Sequence, residues 1–113
     1  KPNYFFAFHN SGHMRRPFVN RFADGKGRTL GEADGHVMQV GRWHEIEVGR
    51  WNDRLWLSID GDTVLRARDG APLDGGHLAL RIRGTGPHPA SVMVRQVRIA
   101  APDNQPAADM SAQ

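Results

Sequence analysis

The chain has 113 residues, enough for one domain with a modest core, and its formal net charge is +3 from 15 basic and 12 acidic residues. The charges are interleaved and form no basic stripe, which argues against a nucleic-acid partner. No run is long and apolar enough for a membrane-spanning helix, and the absence of cysteine excludes a disulfide framework and thiolate chemistry.

Thirteen Gly and seven Pro, with no helix-period segment, favour an all-β chain with many turns. Residues 4–8 are β-prone and aromatic, and end at the turn-forming cluster His9-Asn10-Ser11-Gly12-His13. Residues 14–35 are polar, basic and Gly-rich. Within them a short strand fits 17–22, and Asp24-Gly25-Lys26-Gly27 reads as a turn. A further short strand fits 36–40.

Residues 41–61 read as a β-hairpin with both faces spelled out. Ile46 and Val48 alternate with Glu45 and Glu47; Leu55, Leu57 and Ile59 alternate with Arg54, Trp56 and Ser58. The stretch from Gly49 to Asp53 supplies the turn, and Asp60-Gly61 a second one. A strand follows at 63–67, broken by Asp69-Gly70-Ala71-Pro72 and Asp74-Gly75-Gly76. Residues 77–83 alternate cleanly, and 91–99 form the last expected strand, with a slip that suggests a bulge. From 101 onward the chain reads as a disordered tail or linker. The expected core is Phe6, Phe8, Ile46, Val48, Leu55, Leu57, Ile59, Leu78, Leu80, Ile82, Val92, Val94 and Ile99.

Short strands separated by regular turns point to an antiparallel β-sandwich or jelly roll over residues 1–100. The chain opens at Lys1-Pro2 and enters a strand at once. A full sandwich can run to roughly 200–250 residues, so the domain reads as an N-terminally incomplete copy. An uncovered sheet edge would then favour self-association.

The order Gly41-Arg42-Trp43-His44, a hairpin, Ile59-Asp60-Gly61-Asp62, then Asp69, Pro72-Leu73 and Gly75-Gly76-His77-Leu78-Ala79-Leu80-Arg81 resembles the concanavalin A-like lectin/glucanase superfamily. Phe8-His9-Asn10-Ser11-Gly12-His13 and Leu80-Arg81-Ile82-Arg83-Gly84-Thr85-Gly86, with Pro87-His88-Pro89, are most similar to the uncharacterised YesU-type family. The resemblance covers residues 4–100. It implies a jelly-roll sandwich encoded beside carbohydrate-degrading enzymes, and no particular reaction. The chain departs from the superfamily's glycosidases, which carry E-x-D-x-x-E: Glu45-Ile46-Glu47 is the nearest approach, and Arg50 stands where the last acid would be. The motifs of the alginate-lyase type are missing from the sequence.

Several residues could carry chemistry. Glu45 and Glu47, two apart on a strand, would project about 7 Å from each other, within the range of glycosidase carboxylate pairs. The alternative is cross-strand pairing with Arg54, Arg81 or Arg83. Trp56, in alternation with core Leu, is expected on an accessible face, where it could stack on a sugar. If it is instead buried beneath another element, that binding face fails. Trp43 and Trp51 read as packing residues. His9 and His13 are candidate bases; Asn10 and Arg21, with Arg15, Arg16, Asn20 and Arg28, would form a rim suited to an acidic or heavily hydroxylated glycan. No metal site is expected: His9 and His13 have an H-x-x-x-H spacing, but on a Gly-containing turn rather than a helix, and without Cys the zinc ligand set is incomplete. Ca²⁺ would have to sit at Asp60/Asp62 or Asp69/Asp74, where the plain reading is turn formation.

Three functions remain open on the sequence. The first is a glycan-binding or glycan-processing accessory domain working through a sheet face. The second is a lyase or hydrolase with a His base and a charge-neutralising Arg. The third is an interaction module without a small ligand.

Overall fold

A computed structural model of the chain describes residues 2–7, 16–33, 39, 41–74 and 93–98. Among these residues there are six strands and no helix. They are β1 (Asn3–Ala7), β2 (Phe18–Ala23), β3 (Lys26–Glu32), β4 (Ile46–Trp51), β5 (Arg54–Ile59) and β6 (Asp62–Arg68). They form two antiparallel three-stranded sheets, ordered β1-β2-β3 and β4-β5-β6. The arrangement is consistent with a β-sandwich. No helix among the described residues is long and apolar enough to cross a membrane.

The hairpins close on residues that tolerate positive φ. Asp24 (54°) and Gly25 (72°) join β2 to β3; Asp60 (52°) and Gly61 (86°) join β5 to β6; Asn52 (55°) opens the turn between β4 and β5. Asn, Asp and Gly enter this region at least cost, and these tight turns match the right-handed twist of the strands. Each turn fixes the register of its hairpin.

The core lies between the sheets. Leu55, Leu57, Ile59 and Leu65 of the second sheet are buried with Val19 of the first and with Ala33. Tyr4, Phe6, Leu30, Ile46, Val64 and Ala67 pack around them. Burying each large aliphatic side chain stabilises the fold by roughly 1.5–3 kcal/mol. Two bulges help to fill this layer. The register skips Leu30 opposite β2 and Val64 opposite β5, adding an apolar residue at the core in each edge strand.

Several expectations are corrected. Residues 26–32 are strand β3, although Lys26 and Gly27 were read as turn; the ladder with β2, rather than apolar alternation, holds this polar edge strand. Gly49, Arg50 and Trp51 belong to β4, so the turn is only Asn52-Asp53. Val48 faces the core side opposite Leu57 but is 37% exposed, because β4 is an edge strand. Residues 93–98 form no strand, and Val94 is 53% exposed rather than core. Arg95 and Arg98 interrupt the apolar series there, and alternation alone gives a segment no ladder partner. Gln39 is not in a strand, and the rest of 36–40 except Gln39 lies outside the described residues, as do 77–83 and the tail from 101. Phe8, Leu78, Leu80, Ile82, Val92 and Ile99 also lie outside them.

Candidate functional site

The expected face of the second sheet is assembled as the alternation implies. Cross-strand pairing sets Glu47 opposite Ser58, Gly49 opposite Trp56, and Trp51 opposite Arg54. On the other side, Arg54 pairs with Arg68 and Trp56 with Arg66. The expectation that fails is accessibility: Trp56 is only 4% exposed. Its six-membered ring occupies the space a side chain at Gly49 would fill. Its Nε1–H donates to Glu47 Oε2 at 2.6 Å. The central position of β5 explains the burial, since a ring laid flat over a neighbouring glycine gains contacts along its length. Ser58 is also buried, and shares a hydrogen bond with Thr63 at 3.0 Å. Trp56 therefore offers no stacking platform. Glu47 is exposed but bonded to the indole, and Glu45 lies before the strand, where its main chain is bridged to Asp60. Arg54 is half-buried.

Arg21 is the second correction. It projects inward from β2 and donates from Nε to Asp69 Oδ2 at 2.6 Å and from Nη2 to the Ala71 carbonyl at 3.0 Å. Asp69 is 1% exposed. Tyr4 OH donates to its Oδ2 at 2.7 Å, and Ala71 N–H to its Oδ1 at 2.9 Å. Leu73 N–H donates to the Tyr4 hydroxyl at 2.9 Å, and the Arg28 guanidinium stands 3.7 Å from Asp69 Oδ1. Burial pushes the Asp69 carboxyl up, but hydrogen bonds from Tyr4, Ala71 and Arg21, with the Arg21 charge, outweigh it and hold the group below its ordinary value. Burial raises the Tyr4 phenol, and Asp69 pushes it the same way against the Leu73 hydrogen bond. This cluster ties the segment after β6 to the first sheet. It is a latch rather than a rim, and it divides the basic group read from the sequence: Arg16 pairs instead with Glu32, at 3.7 Å.

A third polar group joins the entry of β4 to the β5–β6 turn. His44 Nδ1 lies 2.6 Å from Asp60 Oδ2, and Glu45 N–H donates to Asp60 Oδ1 at 2.9 Å. Gln39 N–H donates to His44 Nε2 at 3.1 Å. These bonds, the Glu45 N–H foremost and then the His44 contact, lower the Asp60 pKa. The same loop carries Trp43, which is 54% exposed rather than packed inside, with the Arg95 guanidinium 4.8 Å from the centre of its ring. Both oxygens of Asp60 and of Asp69 take part in these bonds, which hold the turn and the latch in place. Among the described residues no group of three or more His, Asp or Glu is placed to hold a metal ion.

The outward face of the first sheet groups residues that the sequence does not show to be neighbours. Phe5 of β1 and Thr29 of β3 flank Asn20 of β2 in the ladder. Phe18 and Phe22 stand two residues to either side of Asn20 along the same strand. The Phe5 and Phe18 rings meet at 6.1 Å, tilted by 55°. The Phe22 ring lies over Gly27, where a side chain would come within 2.5 Å of its Cε1, and remains 40% exposed. Thr29 Oγ1 donates to Asn20 Oδ1 at 2.8 Å, which leaves the Nδ2 hydrogens as the donors the amide offers. Phe18 and Asn20 were visible as residue types. Alternation puts them on one face with Phe22, but the partners Thr29 and Gly27 join that face only through the register that the Asp24-Gly25 turn sets.

His9, Asn10, His13, Arg81 and Arg83 lie outside the described residues, as do His77 and His88. Comparison with known proteins returns no matching family model, no matching curated protein and no matching solved structure.

Proposed function

We propose that the chain is a glycan-binding module that works through an outward sheet face, on a jelly-roll sandwich of the concanavalin A-like, YesU-type kind. The observation that carries this reading is the outer face of the first sheet. There an exposed ring, Phe22, stands beside Asn20, an amide held in place by Thr29. A pyranose has an apolar C–H face and a rim of hydroxyls. An exposed aromatic ring with an oriented amide next to it complements both. The two sheets, with their shared core, supply a rigid platform for such a set.

Binding is favoured over hydrolysis by a carboxylate pair because Glu45 and Glu47 have separate duties. Glu47 holds the Trp56 indole, and Glu45 belongs to the bridge with Asp60. The test is retention of the chain on a panel of immobilised polysaccharides, with release of reducing ends and unsaturated products followed in parallel. Retention without product is expected. Product formation would favour an enzyme, and neither retention nor product would favour an interaction module.

A further inference from the structure

We infer that this face takes an uncharged glycan, bound as an oligosaccharide stretch rather than as a single sugar. The inference rests on the glycan-binding reading. Its basis is where the charges of the first sheet go. The chain as a whole is basic, with a pI near 10.2, and both β2 and β3 carry arginine. Yet Arg21 and Arg28 turn to the opposite side of the sheet, towards Asp69. Arg16 is next to Glu32, which sits across the ladder from Phe18, so the charge at that end of the face is a compensated pair. Among the described residues, what lies between Phe18 and Phe22 is aromatic, amide and hydroxyl: Phe5, Phe18, Asn20, Phe22 and Thr29, with Gly27 beneath the Phe22 ring.

Among the described residues, a uronate laid on this surface would lose hydration from its carboxylate without meeting a cation that is not already paired with an acid, and that loss is unfavourable. A neutral sugar loses only hydroxyl hydration, which the Asn20 amide and the Thr29 hydroxyl can replace. Length follows from strand geometry. Phe18 and Phe22 are four residues apart on one strand, roughly 13 Å, which is longer than one sugar ring. A chain lying along β2 would place one unit over Phe22 and a neighbouring unit beside Asn20. Of the two alternatives that the grouping of Arg21 and Arg28 with Asn20 left open, an acidic or a heavily hydroxylated glycan, this favours the second.

The experiment uses the full chain in affinity electrophoresis against neutral polymers (β-1,4-glucan, xylan, mannan and starch) and two uronates (polygalacturonate and alginate), each at low and high salt. Retention on at least one neutral polymer, insensitive to salt, is expected. Oligosaccharides of that polymer should compete better than its monosaccharide. Phe22→Ala should weaken binding about tenfold or more, the range for single aromatic stacking contacts; Asn20→Ala should weaken it about three- to tenfold, the range for one hydrogen bond, and Phe22→Trp should retain it. Circular dichroism and melting temperature accompany each variant; if Phe22→Ala does not fold, Asn20→Ala and Thr29→Val carry the test. Retention on uronates alone, lost at high salt, would overturn the inference while keeping the glycan-binding reading. Neutral retention untouched by the Asn20 and Phe22 substitutions would overturn this face as the site. No retention on any polymer would sink both.

Discussion

The two sheets use the same local device with opposite outcomes. In each, an aromatic residue on the central strand lies over a glycine directly opposite on an edge strand: Phe22 over Gly27, and Trp56 over Gly49. A ring laid over a cross-strand glycine covers backbone that would otherwise be wet, and so supports the ladder. Phe22 stands one residue from the end of β2, beside the Asp24-Gly25 turn, and keeps 40% of its surface exposed. Trp56 stands within β5, reaches Glu47 with its indole N–H, and keeps 4%. Alternation says which side of a sheet a residue occupies. It does not say whether that side is open.

Substitution separates the two faces most sharply in stability. Trp56→Ala should cost about 3–5 kcal/mol, the usual range for removing a buried aromatic side chain, and leave Glu47 without its donor. Chemical denaturation measures it. A loss below about 1 kcal/mol would mean that the indole is not packed as described. Asp69→Ala should cost a comparable amount, roughly 3–5 kcal/mol, because Arg21 would be left partly buried without its counter-charge. Tyr4→Phe removes one bond to Asp69 and the acceptor for Leu73 N–H, and should cost about 1–3 kcal/mol in the same assay.

The Asp69 latch also sets a pH dependence. Its folded pKa lies below the ordinary value of 3.8, so its contribution is fully present above about pH 4. Stability should fall as the pH drops from there through the folded pKa, because the unfolded chain binds the proton more readily. Denaturation midpoints across the acid range should show this slope, and Asp69→Asn should flatten it. An unchanged slope in that variant would assign acid sensitivity to other carboxylates.

Much of this is legible in the sequence; the burial of Trp56 and the Asp69 latch are not read from alternation. The alternation of residues 54–59 placed Leu55, Leu57 and Ile59 in the core, and their burial is complete or nearly so. It also placed Glu47, Arg54, Trp56 and Ser58 on one face, as the ladder does. The turn was drawn too wide, from Gly49 to Asp53. With a two-residue turn at Asn52-Asp53, counting outward pairs Trp51 with Arg54, Arg50 with Leu55 and Gly49 with Trp56. That register would have shown a glycine under the tryptophan, and hence a ring able to lie flat. The Asp24-Gly25 turn yields Phe22 over Gly27 by the same count. The Asp69 latch was beyond such reasoning, since Tyr4 and Arg21 reach it across 65 and 48 residues of sequence.

The glycines offer a finer comparison. Gly49→Ala would put a methyl group inside the Trp56 ring, and a buried indole bonded to Glu47 has little room to yield. A cost of about 1–3 kcal/mol is expected, as for overpacking of a closed site. Gly27→Ala meets the Phe22 ring instead, which can swing towards solvent. Its cost should be the smaller of the two. Melting of the pair measures the difference, and equal losses would contradict the contrast between the open and the closed face.

Phe22→Ala should cost far less stability than Trp56→Ala. The ring is already 40% exposed, so truncation returns only part of its apolar area to water and leaves no closed cavity. About 1–2 kcal/mol is expected on area grounds, which a melting curve resolves as a shift of several degrees. Read beside Trp56→Ala, this variant asks whether the faces differ in role as well as in burial. Trp56→Ala should lower stability and, in molecules that remain folded, leave the first-sheet face and its glycan retention intact. Phe22→Ala should do the reverse, holding most of the stability while reducing retention. If both variants lose stability alike and neither alters retention in the folded protein, the aromatic-over-glycine pairs are two copies of one packing device, and the first sheet has no binding role to explain.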